Sequence, residues 1–209
     1  MTLTVFTQLP DSVALGAQVS FMPSTAKNPS ESGNNNRFSL RPIKRNYTVS
    51  ISPDDSDEMQ AIIMALLGDR FPLAMRDYAA YQVTAEDCQF DNLTGDWLMG
   101  RTWAPSTGNF QFFERILVPE SMVVSLNGSP ATTSSYAISD FGRIQFSGGV
   151  TTSDTVSITG TYLTPVALMD APALQLFGSI GGVPQSQFSS MRFEQLYEKE
   201  LIDILAEAT

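Results

Sequence analysis

Asn127-Gly128 narrows the fold more than any other pair in the chain. It follows the apolar, β-branched run Met122-Val-Val-Ser-Leu126. Asn-Gly at such a point predicts a type I′ hairpin turn, because both central residues need positive φ and these two adopt it at least cost. Asp140-Phe-Gly142 offers a second turn, continued by Arg143-Ile-Gln-Phe146. Thr155-Val-Ser-Ile-Thr-Gly-Thr-Tyr162 alternates apolar and polar residues, the pattern of a strand with one buried face. From Gly68 onward the chain reads as β.

Before Gly68 the pattern is mixed. Residues 2–7 alternate, with Leu3 and Val5 on one face, and Val19-Ser-Phe-Met22 suggests a second strand. Residues 23–36 contain Pro29, Gly33, three consecutive asparagines and several serines. They offer little to bury, so a flexible loop is expected near 24–36, either a surface excursion or an arm that orders on a neighbouring subunit. Residues 38–51 read as extended, with Tyr47, Val49 and Ile51 pointing one way.

One amphipathic helix is expected over about 53–67. Ser52 suits the N-cap and Pro53 the first helical position. Asp54, Asp55, Asp57 and Glu58 crowd the first turn, where the helix dipole favours anions. Met59, Ile62, Ile63, Leu66 and Leu67 recur at helical spacing, and Gly68 ends the run. The acids lack the glycine and distal glutamate of a calcium loop, so capping is the expectation and no metal is called. Phe193, Leu196, Tyr197, Leu201, Ile202 and Leu205 also recur at helical spacing, which favours a C-terminal helix within 190–205. No linker divides the chain, so 1–209 is read as one domain.

Composition limits the chemistry. The 209 residues contain no histidine, which removes the commonest general base and metal ligand. The single cysteine, Cys88, excludes an internal disulfide and is expected to act as a small buried apolar residue. The net charge of −10 opposes binding to a nucleic-acid backbone or an anionic membrane. Charged residues are only 16%, against about 25% in an average soluble protein, which suits a chain that buries surface against other subunits. The first residues lack a basic region followed by a long apolar stretch, so synthesis in a cytoplasm is expected.

Several segments, taken in order, carry a family resemblance. Phe71-Pro-Leu-Ala-Met-Arg-Asp-Tyr-Ala-Ala-Tyr81 resembles the aromatic–aliphatic–Arg-Asp–aromatic block of the distal tail proteins of long-tailed phages and gene transfer agents. Tyr78, Ala79 and Ala80 stand where many members carry a tryptophan and a second aspartate. Arg115-Ile-Leu-Val-Pro119, the Asn127-Gly128 hairpin, Tyr136 to Phe146, and Pro165-Val-Ala-Leu-Met-Asp170 follow in the family's order. Met169 replaces an expected aromatic. The resemblance spans roughly residues 10 to 205.

The resemblance implies a mainly β (α+β) fold: a β-sandwich, tail-tube-like pair of sheets with one packed helix. It implies a structural virion protein that forms a ring, usually a hexamer, at the tail tip. That ring joins the tail tube protein to the hub protein and lets DNA pass through its lumen without binding it. The resemblance also implies that the protein is made in the bacterial host cytoplasm and resides in the virion. Some relatives imply a closing strand near the C-terminus in place of a helix. No cofactor, catalytic residue or enzyme activity is called. The alternative is a carbohydrate-binding β-sandwich module using Trp97, Trp103 and Tyr78. Core or subunit contacts are the expected role of the two tryptophans, and a framework ion pair or hydrogen-bond pair that of Arg76 and Asp77.

Overall fold

The computed structural model describes residues 6–22, 25–29, 35–39, 43–51, 56–65, 72–104, 106, 111–139, 141–169, 174–180, 183–188 and 190–207. In chain order the first elements are β1 (Thr7–Gln8), α1 (Asp11–Leu15), β2 (Gln18–Met22), β3 (Thr25–Pro29), β4 (Asn35–Ser39), β5 (Lys44–Val49) and α2 (Ser56–Ala65). Then come β6 (Leu73–Met75), β7 (Gln82–Asp87), β8 (Gln89–Phe90), β9 (Trp97–Leu98), β10 (Gly100–Trp103) and β11 (Phe112–Arg115). They are followed by β12 (Val118–Leu126), β13 (Ser129–Pro130), β14 (Tyr136–Ser139), β15 (Arg143–Phe146) and β16 (Val156–Leu168). The last are β17 (Leu174–Ile180), β18 (Val183–Phe188), β19 (Met191–Gln195) and α3 (Glu198–Glu207). The fold is mainly β with few helices, as expected.

The 13-residue strand β16 is the spine. Its first half pairs with β12 on one edge and β7 on the other. Its second half pairs with β6 and β19, and the sheet continues through β5 to β2. The burial pattern follows from what covers each half. Val156 and Ile158 are buried and alternate with less buried neighbours, because one face is open. Residues 162–166 are all buried, because the second half is covered on both faces. The two regimes meet around Gly160, where φ is +154°; the β7 pairing shifts register between Ile158 and Gly160, and the β12 pairing shifts opposite Thr161 and Tyr162. A Cβ there would sit 1.8 Å from the Ser121 carbonyl oxygen, so only glycine fits the bend.

Three apolar clusters result. The first joins α1, α2 and one face of the β6–β16–β19–β5 sheet, through Val13, Met59, Tyr47, Val49, Met75, Val166 and Phe193. The second fills the sandwich between the β7–β16–β12 sheet and the four-stranded β14–β15–β9–β8 sheet, through Val83, Val124, Ile158, Trp97 and Ile144. The third, smaller cluster seats α3 on Leu117 and Leu196 through Leu201.

Most expected elements are present. Asn127 and Gly128 have φ of +52° and +81°, the expected turn, but the return strand β13 has only two residues and β12 finds its long partner in β16. Phe141 and Gly142 both have positive φ in the second turn. In α2, Met59 is fully buried and Ile62 packs on the first cluster, while Asp57 is exposed. The expected helix ends, with Ser52, Pro53, Asp54, Asp55, Leu66, Leu67 and Gly68, lie outside the described residues, as do Leu3 and Val5.

Two expectations are corrected. Within 23–36, where the sequence predicts a loop, residues 25–29 form a strand that pairs antiparallel with 35–39, Lys27 opposite Arg37. Backbone pairing supplies what the side-chain pattern lacks; residues 30–34 lie outside the described set. The C-terminal segment is both strand and helix. Phe193 lies in β19, paired with Tyr47 of β5, and the helix starts only at Glu198. Residues 193, 196 and 197 are therefore not on a helix face, and Ile202, on the outer side of α3, is 45% exposed. The closing strand and the helix both exist, in series.

Candidate functional site

A buried polar frame surrounds Arg45. Tyr47, Val49 and Ile51 occupy the core side of the strand and of the residues just beyond it, and Arg45 shares their parity, so its guanidinium is carried inward. Its Nη2 donates to Glu114 Oε2 at 2.6 Å, and its Nη1 to Asp77 Oδ2 at 3.3 Å. Tyr47 Oη donates to the same Asp77 oxygen at 3.0 Å. Trp103 Nε1 donates to Glu114 Oε2 at 2.6 Å, and Gln195 Nε2 to Glu114 Oε1 at 2.7 Å. The Arg45 backbone N–H returns to Gln195 Oε1. Five strands or strand ends thus meet in this frame: β5, β6, β10, β11 and β19.

The electrostatics follow from this geometry. Burial works against the Arg45 charge, but Glu114, Tyr47 and Asp77 together hold the guanidinium protonated above its ordinary range. Burial, and then the Asp77 carboxylate, push the Tyr47 phenol far up. Asp77 has a second task. Its Oδ1 accepts from the Ala79 N–H at 3.0 Å and its carbonyl from the Ala80 N–H at 2.8 Å, which closes the 78–80 turn. Tyr78 and Tyr81 pack across that turn, with ring centroids 5.5 Å apart.

Arg76 and Asp77 do not pair with each other. Arg76 reaches outward to Asp11 and Glu120, whereas Asp77 points inward to Arg45. Both serve the framework, but with different partners. Trp97 is buried and packs edge-on to Phe90 at 5.2 Å. Trp103 is flanked by Arg45 at 5.3 Å and Arg101 at 4.1 Å from its ring centroid. Tyr78 is 37% exposed and lies in the turn after β6. Trp97 belongs to the second apolar cluster, and Trp103 is half-buried. Cys88 is buried and free, and burial, with Asp87, pushes its thiol up to about 12.

A second ionic group holds the start of α3. Glu198 accepts from Arg115 Nη1 and Arg143 Nη2, both at 2.7 Å. Arg143 also reaches Asp91 at 3.1 Å. Lys44 donates to Glu194 at 2.9 Å and Glu200 at 2.7 Å. Sequence reading did not single out Arg45, Glu114, Gln195 or Glu198. Strand parity was the available signal for Arg45, and Glu198-x-Glu200 ahead of an apolar run was the signal for a helix start. Among the described residues, no group of three or more His, Cys, Asp or Glu side chains is arranged to hold a metal ion. No helix among them is long and apolar enough to cross a membrane.

No protein-family model matches the chain, and no curated protein matches it in sequence.

Proposed function

We propose that this chain is a structural virion protein of the distal tail type, forming a ring at the tip of a phage tail. It joins the tail tube protein to the tail-tip hub protein and leaves a lumen for DNA. One observation carries the reading. The segments that resemble the family are tied to one another by structural contacts. Asp77, from the Phe71–Tyr81 block, and Glu114, just ahead of the Arg115–Pro119 block, share Arg45. Gly142, from the Tyr136–Phe146 block, lies against the Ile116 carbonyl. Asp77, Arg115 and Arg143 of these blocks tie separate segments together, the work expected of a framework. The two packed β-sheets with α2 alongside agree with the expected architecture, and the charge of −10 suits a wall that must not retain phosphates.

Ring symmetry, a hexamer by resemblance, is the direct test. Tail tips isolated from virions and imaged by electron microscopy should show this chain in a closed ring between tube and hub. Its absence from virions, or its presence there only as monomers, would overturn the reading. Recombinant subunits that stay monomeric while the virion form is a ring would agree with assembly on the growing tail.

A further inference from the structure

We infer that α3 is an ionic latch, a helix that opens as its own unit while the β-sandwich stays folded. The helix has 10 residues. Isolated helices shorter than about 12 residues are marginal in water, so α3 depends on its seat. The apolar part of that seat is small. Leu201 is fully buried, whereas Ile204 and Leu205 are only half-buried against the Leu117–Leu196 cluster.

The rest of the seat is charge, concentrated in the first turn. Glu198 is gripped by Arg115 and Arg143, and Glu200 by Lys44. Glu200 also accepts the Tyr197 backbone N–H at 3.1 Å, the reciprocal half of a capping box. The other charges facing this turn are Glu194, which shares Lys44, and Asp91 and Asp96, which share Arg143. The Glu198 and Glu200 side chains are 23% and 32% exposed, so these pairs are partly open to solvent ions. By contrast, β16 is paired along both edges and holds its place through buried apolar residues that salt does not screen.

Opening has a defined consequence. Leu117, Val118 and Phe141 lose part of their cover, and Arg115 and Arg143 lose their shared carboxylate. The surface exposed is apolar with two guanidiniums beside it, while the Arg45 frame and both larger clusters stay intact.

Hydrogen exchange on the full chain, followed by mass spectrometry, tests this. Salt is raised from about 0.01 M to about 1 M, so that the Debye length falls from about 30 Å to about 3 Å. Exchange in residues 198–207 should rise by roughly three- to tenfold, as expected for three partly exposed ion pairs, with β16 unchanged. Glu198→Gln should exchange faster in α3 already at low salt and show a reduced salt response, because only the Lys44–Glu200 pair remains. Asp203→Asn, on the exposed side of the same helix, should behave as the unmodified chain. Exchange of α3 and β16 in step at both salts would overturn the latch. So would a Glu198→Gln variant with the full salt response.

Discussion

Gly142 lies directly beneath Ile116: a Cβ on the glycine would stand 1.9 Å from the Ile116 carbonyl oxygen. The Met99 N–H bonds the Gly142 carbonyl, and the Ile116 N–H bonds the Met99 carbonyl, so three segments close on this point. The glycine also has φ of +64°. Gly142→Ala therefore meets both backbone strain and a backbone clash, and should cost at least about 2 kcal/mol. Gly95, at φ +78° with nothing within 4 Å of its would-be Cβ, faces only the strain. Gly95→Ala should cost about 1 kcal/mol. Urea unfolding of the two variants checks the order.

Arg45 carries two buried carboxylates, and removing it leaves both unpaired. Arg45→Met should cost about 3–5 kcal/mol, the range for breaking a buried pair from one side. Arg76 also has two carboxylate partners, but its side chain is 21% exposed and Asp11 is 48% exposed. Arg76→Met should cost no more than about 1 kcal/mol. Equal losses in thermal melts would mean that the frame is solvated and that burial does not govern it.

Met59 is the buried contact of α2 with the first cluster, and Asp57 two residues earlier is exposed. Met59→Ala should destabilise by about 2–5 kcal/mol, and Asp57→Ala by well under about 1 kcal/mol. Chemical denaturation of both variants reads the difference, and the reverse order would place the wrong face of α2 on the core.

What was legible in the sequence was whatever a local rule fixes. Asn127-Gly128 gave its turn because positive φ at two successive positions leaves few residue choices. The alternation of 155–162 announced a half-buried strand, and β16 continues past it to Leu168. That continuation was hidden because cover on both faces erases alternation. Residues 193–197 misled for a related reason. Phe193 and Gln195 face one side of β19, and the following Leu196 begins the seat of α3, so a strand and a helix in series imitate a single 3.6-residue period. The pairing of 25–29 with 35–39 was invisible because no apolar alternation in either segment announces it. In the Arg45 frame only Asp77 lay in a segment the sequence had singled out as framework; Glu114 and Gln195 are 69 and 150 residues from Arg45 along the chain, and nothing local announces such partners.

Cys88 gives a prediction about alkaline stability. Burial, and then the Asp87 charge, raise its thiol from 9.0 to about 12 in the fold. In the unfolded chain the thiol ionises at its ordinary value. The contribution is therefore whole below pH 9.0 and is lost as pH climbs toward about 12. Across that window stability should fall by up to about 1.4 kcal/mol per pH unit from this group alone. Tyr162 and Tyr197, raised to about 12 chiefly by burial, act in the same direction but only above the ordinary tyrosine value of 10.0. The cysteine should thus dominate the first unit of the decline. Cys88→Ala should start from lower stability because it removes a buried side chain, yet show a flatter slope between pH 9 and 10. Denaturant unfolding at stepped pH reads the slopes directly. In parallel, a thiol reagent should react with the unfolded chain at once and with the native chain only at the rate of opening. Identical slopes with and without the thiol, or rapid labelling of the native chain, would show that Cys88 reaches solvent.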